Sequence, residues 1–111
     1  MDDRILNFLD TVVDSISLIE ENLAGIGFQD YKTDRKRMIT VVNYFETIIE
    51  ALHEIPKEVR DAHPEIDWGS FDGLREKIIH PEMGIKEEEV WRIAKMKMMK
   101  LKKAINKSFF S

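Results

Sequence analysis

Apolar residues in the first part of the chain recur at alternating spacings of four and three: Ile5, Leu9, Val12, Ile16, Ile19, Leu23. That interval keeps side chains on one face of an α-helix, so a helix is predicted over residues 3–24. Asp2 or Asp3 can cap its start, and Gly25 and Gly27 end it. Residues 28–33 read as a linker. A broader stripe follows, made of Met38, Val41, Val42, Phe45, Ile48, Ile49, Leu52 and Ile55, and it predicts a second helix over 34–55. Pro56 stops it, because proline has no N–H to donate. Residues 57–62 suit a short helical turn. His63-Pro64 is a break, since a residue before proline avoids the α region.

A third helix is predicted over 68–79, with Asp67 as its N-cap and with Gly73 inside it implying a close backbone approach. Pro81 forces His80 out of helical geometry at the C-terminal end. The last helix spans 86–107. Its seam is Trp91, Ala94, Met98, Leu101 and Ile105, with most lysines opposite. Met96 and Met99 fall outside that seam, as a contact surface or as loose packing. No strand period and no internal repeat occur. The predicted fold is an all-α bundle with antiparallel neighbours: four main helices plus a short one.

Composition narrows the setting. A chain of 111 residues with 43% hydrophobic and 34% charged side chains is expected to form one folded domain, residues 1–111. No apolar run approaches the roughly 18–20 residues that span a bilayer, so no membrane partner is expected. The N-terminus lacks a basic-then-apolar leader pattern, and cysteine is absent. Disulfides and thiolate chemistry are thereby excluded, and the expected location is the cytoplasm.

Charge is uneven. Residues 91–111 carry Arg92 and lysines 95, 97, 100, 102, 103 and 107 without an acid, a charge of +7 against −11 for the rest. That basic segment either binds RNA phosphates or an acidic partner, or is a solvated helix face that suits the end of its own dipole. Arg35-Lys36-Arg37 carries the same two readings.

The candidate chemistry is Arg75 with His80. An arginine grips phosphate through its planar fork, and a histidine titrates near neutral pH. On a regular helix, five residues set the two about 140° apart; the unwinding forced by Pro81 is what brings them together. Cleaving RNA without metal needs a base for the 2′-OH, an acid for the 5′-oxygen and a cation for the charge that builds on phosphorus. Arg75 fits the last role and His80 either of the first two. His53, beside the apolar face of the second helix, and His63, in a turn, read as structural or surface residues. Glu87-Glu88-Glu89 reads as a helix start that satisfies its dipole. No glycine-rich phosphate loop and no metal-ligand spacing are present, so no cofactor is expected.

The string around these residues is more specific than the pair. His63-Pro64-Glu65-Ile66-Asp67-Trp68, then Leu74-Arg75-Glu76-Lys77-Ile78-Ile79-His80, Gly84-Ile85 and Val90-Trp91-Arg92-Ile93 resemble the HepT-like branch of the HEPN superfamily. Phe45-Glu46 and Ile48-Ile49-Glu50-Ala51 extend the resemblance, which covers residues 4–106. It implies a HEPN-type bundle and a homodimer whose paired Arg and His motifs share a cleft. It implies a metal-independent endoribonuclease acting on RNA, the toxin of a toxin–antitoxin pair with a minimal nucleotidyltransferase as antitoxin.

The chain departs from the family's pattern in three places. The polar residue after the arginine is Glu76, and the tyrosine two positions after the histidine is Glu82. In relatives the nucleotidyltransferase silences the toxin by adding AMP to that tyrosine, which Glu82 cannot accept. The Arg-Asn pair that usually precedes the long helix's Phe-Glu is replaced by Asn43 and Tyr44. Glu76 and Glu82 put negative charge beside a phosphodiester site, and Glu46 and Glu50 match acidic family positions on the same groove. Carboxylates near His80 favour its protonated form and the acid role. The expectation is a weakened nuclease. The alternative is a catalytically degenerate dimer that binds the nucleotidyltransferase, or nucleotides, without cutting RNA.

Overall fold

The computed structural model describes residues 1–79 and 86–111. His80, Pro81, Glu82 and the Gly84-Ile85 pair lie outside the described residues. Among the described residues all regular structure is helical: α1 (Asp3–Leu23), α2 (Phe28–Lys32), α3 (Arg35–His53), α4 (Lys57–Ala62), α5 (Asp72–Ile79), α6 (Glu87–Arg92) and α7 (Met98–Phe109). No helix of the described residues is long and apolar enough to cross a membrane.

Helix α1 forms where the stripe places it. The Asp2 carboxylate accepts from the Arg4 N–H at 2.8 Å, and Leu9, Val12, Ile16, Ile19 and Leu23 are buried. The turn after it needs Gly25, whose φ of 76° lies in the left-handed region that glycine adopts without strain. Helix α3 starts at Asp34, whose carboxylate accepts from the backbone N–H and Nε of Arg37, both at 3.1 Å. Arg37 also donates to the Asn22 carbonyl near the end of α1. The end of α1 thus meets the start of α3, and the two pack antiparallel through Val41, Phe45, Ile48 and Leu52. The last helix returns along α1: Lys95 reaches the Leu23 carbonyl at 3.5 Å, and Lys102 the Glu20 carboxylate at 2.9 Å.

Six expectations are corrected. Residues 28–33 are not a plain linker, since Phe28–Lys32 form α2. A five-residue helix is marginal alone. Burial of Tyr31 drives this one: its ring lies 5.4 Å from Trp91 and is 1% exposed. The Asp30 carboxylate accepts from the Gly27 N–H at 3.1 Å and closes the first turn.

The third helix does not begin as an α-helix. Trp68–Phe71 form a 3₁₀ turn, and α5 follows. In a 3₁₀ turn residues i and i+3 eclipse, which sends Trp68 and Phe71 into the same core. Asp67 makes no side-chain cap; instead its carbonyl accepts from the Ser70 hydroxyl at 2.8 Å. Gly73 meets no close backbone, because a Cβ built there finds nothing within 4 Å.

The last helix is interrupted. Ile93–Lys97 form a π turn between α6 and α7, and the buried seam is Val90, Ala94, Met98, Leu101 and Ile105. Trp91 is half-buried against Phe28 and Tyr31 instead of lying on that seam. Two successive steps of four drift by about 80° around a regular helix, and the widened turn absorbs that drift.

Candidate functional site

A groove of about 470 Å³ opens between the last turn of α3, α4 and α5. Ile49, Leu52 and Phe71 form its apolar wall, and Arg75, Glu76 and His53 are among its polar lining. Arg75 stands on α5 two residues beyond Gly73, one turn past Phe71. It is half-buried because its neighbour Leu74 anchors the same helix in the core.

The arginines around this groove divide by what they hold. Arg60 of α4 donates from Nε to the Ile55 carbonyl at 3.2 Å and from Nη2 to the Leu52 carbonyl at 2.5 Å. Its guanidinium also lies 5.7 Å from the Trp68 ring centroid and 4.0 Å from the Asp72 carboxylate. It thereby adds a donor to the Leu52 carbonyl, which also accepts from the Ile55 N–H, and holds the Ile55 carbonyl just beyond the end of α3. Lys57, at the rim, is paired with Asp61 at 2.6 Å. The Nε of Arg75, by contrast, is buried and has no hydrogen-bond partner among the described residues. A guanidinium N–H left in this state gains from an incoming acceptor, and a phosphate oxygen is one.

Of the residues singled out from the sequence, Arg75 and Glu76 line this groove together. Glu46 and Glu50 are exposed on α3, two turns and one turn before His53 on the same face, and are not among the groove-lining residues. His80 and Glu82 lie outside the described residues. His53, read from the sequence as a structural or surface residue, lies at the groove. Its signal was the i, i+4 step from Ile49 at the end of the stripe, but that step does not reveal α5 opposite.

His63 does hold structure. Its Nδ1 lies 3.1 Å from the Glu65 carboxylate, and its ring 4.2 Å from Phe109. The Ser108 hydroxyl donates to Glu65 at 2.7 Å, so this loop is tied to the end of α7. The Ser108 hydrogen bond, then the residue's own N–H and His63, hold Glu65 below the usual carboxylate range.

The basic C-terminal segment is partly committed to the fold. Lys95 and Lys102 hold α1, and Lys97 donates to the Ser70 carbonyl at 3.0 Å above the Phe71 ring. These three follow the structural reading of the segment, while Arg92, Lys100, Lys103 and Lys107 are exposed. Met96 is also exposed, at 58%, whereas Met99 is packed against the core. Lys77 and Glu89 pair at 2.8 Å and join the end of α5 to the start of α6.

The family model described as "Ribonuclease HepT-like" matches residues 12–108. A protein named "Probable ribonuclease HepT" from Thermococcus cleftensis is 33% identical over 96 residues, covering 86% of this chain and 87% of that one. A protein of Caldanaerobacter subterraneus named as a candidate RNase is 28% identical over 98 residues, 88% of each chain. Another from Methanocaldococcus jannaschii, similarly named, is 28% identical over 103 residues, 93% of this chain and 79% of its own. No solved structure matches. With a family match over nearly its whole length, the chain belongs to the HepT-like ribonuclease family.

Proposed function

We propose that this protein is a metal-independent endoribonuclease, the cytoplasmic toxin of a toxin–antitoxin pair whose antitoxin is a minimal nucleotidyltransferase. Arg75 binds the scissile phosphate and stabilises the charge that develops on it. His80 transfers protons, and a homodimer supplies a second His80 so that one acts as base and the other as acid. The 2′-oxygen loses its proton and bonds to phosphorus. The bond from phosphorus to the 5′-oxygen breaks, and that oxygen takes a proton. The products are a 2′,3′-cyclic phosphate and a 5′-hydroxyl. The observation that carries this reading is the Arg75 guanidinium, groove-lining and with Nε uncommitted among the described residues.

Glu76 favours a second reading. It lines the same groove, where its charge opposes a phosphodiester. Together with Glu82 it supports a dimer that binds the nucleotidyltransferase, or nucleotides, with little or no cleavage, and Glu82 removes the usual acceptor of AMP.

The test is cleavage of a mixed RNA pool in EDTA by the purified protein beside Arg75→Ala and His80→Ala. Cleavage by the wild type that both variants lose is the expected result. A folded wild-type dimer that leaves the pool intact would overturn the nuclease reading and leave the binding one, to be tested by co-purification with the nucleotidyltransferase.

A further inference from the structure

We propose that the groove between α3 and α5 is a phosphodiester-binding subsite in which His53 joins Arg75 in holding an RNA backbone. The inference rests on the ribonuclease reading for its class of ligand and adds a residue that the reading does not use.

Three observations carry it. The first is placement: His53 is the last residue of α3, exposed at a groove whose other side presents Arg75 from α5. The groove's volume of about 470 Å³ lies within the range of about 300–1,000 Å³ found for small-ligand clefts. The second is commitment. Arg60 is spent on the Leu52 and Ile55 carbonyls, and Lys57 on Asp61. Arg75 keeps a buried Nε without a partner among the described residues. The third is the wall: Leu52 and Phe71 are buried and line the groove, and low-polarity surroundings strengthen a hydrogen bond between a cation and a phosphate oxygen. An imidazole N–H and a guanidinium lining one groove offer two donors of different reach to a phosphodiester. A histidine merely ending a helix would not respond to such a ligand.

The experiment follows the His53 ring by NMR, assigned through His53→Gln, while the full-length protein is titrated with a 2′-O-methyl oligoribonucleotide that cannot be cleaved. The His53 ring signals are expected to move. Affinity should fall about tenfold in His53→Gln and at least as far in Arg75→Ala, the worth of one charge-assisted hydrogen bond. His53 is exposed, so the variant should fold, and circular dichroism checks that it does. Stationary His53 signals while the oligonucleotide binds, or absence of binding, overturn the inference. Cleavage of unmodified RNA is measured in parallel. Binding at His53 without cleavage sinks the nuclease reading and keeps the subsite; cleavage with His53 silent and His53→Gln unchanged in affinity does the reverse.

Discussion

Arg60 and Arg75 line the same groove, and their guanidinium groups have opposite fates: one is hydrogen-bonded to the end of α3, the other keeps Nε unpaired among the described residues. Folding therefore depends on the first far more than on the second. Arg60→Ala removes two charge-assisted hydrogen bonds and the contact with Trp68, and should destabilise by about 2–3 kcal/mol. Arg60→Lys should recover little, because an ammonium lacks the fork that reaches both carbonyls. Arg75→Ala should change stability by less than about 0.5 kcal/mol while weakening RNA binding about tenfold or more. Urea unfolding of the three variants checks this, and comparable losses in Arg60→Ala and Arg75→Ala would refute it.

Two glycines should respond to alanine in opposite directions. Gly25 holds a φ of 76°, so Gly25→Ala should cost about 1–2 kcal/mol. Gly73 lies in α5 with nothing within 4 Å of a built Cβ, so Gly73→Ala should add roughly 0.5 kcal/mol by lowering the freedom of the unfolded chain. Thermal unfolding of both variants gives the signs directly.

Acid should weaken the fold through two carboxylates, the partly buried Asp34 and the exposed Glu65. Asp34 is held below the usual carboxylate range by the Arg37 backbone N–H and then by its guanidinium. Glu65 is held there by Ser108 first. Because both values are lowered by folding, their contribution is complete above the unfolded pKa of about 4 and is lost as pH falls through the folded values. Stability should be level near neutrality with respect to these groups and decline below about pH 4. An unaltered acid limb in the double variant Asp34→Asn/Glu65→Gln would assign that decline to other carboxylates.

Alkali should act through Tyr31. Burial, and secondarily Glu87, push its phenol up to about 12. A raised value keeps its stabilisation intact below the unfolded pKa of about 10 and loses it as pH rises toward the folded value. Phenolate absorbance should therefore show one of the two tyrosines ionising only near pH 12 or together with unfolding. Ionisation of both near pH 10 without loss of helix would contradict this.

The long helices were legible because each buries one face of its own periodicity: Leu9 to Leu23 in α1 and Val41 to Leu52 in α3 lie in the core, as the spacing requires. The failures share a cause. Tyr31 makes α2 a helix by meeting Trp91, sixty residues away. Trp68 and Phe71 tighten a turn because both enter one core. These are tertiary effects that overrule local propensity. The candidate site divides in the same way. Arg75 was visible as a residue type within a family string, whereas the place of His53 depends on how α3 lies against α5.

The π turn at Ile93–Lys97 gives the C-terminal rod two phases instead of one. Its first half is set by the Phe28–Tyr31–Trp91 rings, its second by the face of α1. A single-residue deletion inside the turn would leave Val90 and Met98 seven positions apart, about 20° around a regular helix, so both would still face the core; held to regular α-helix at their present spacing of eight they would diverge by about 80°.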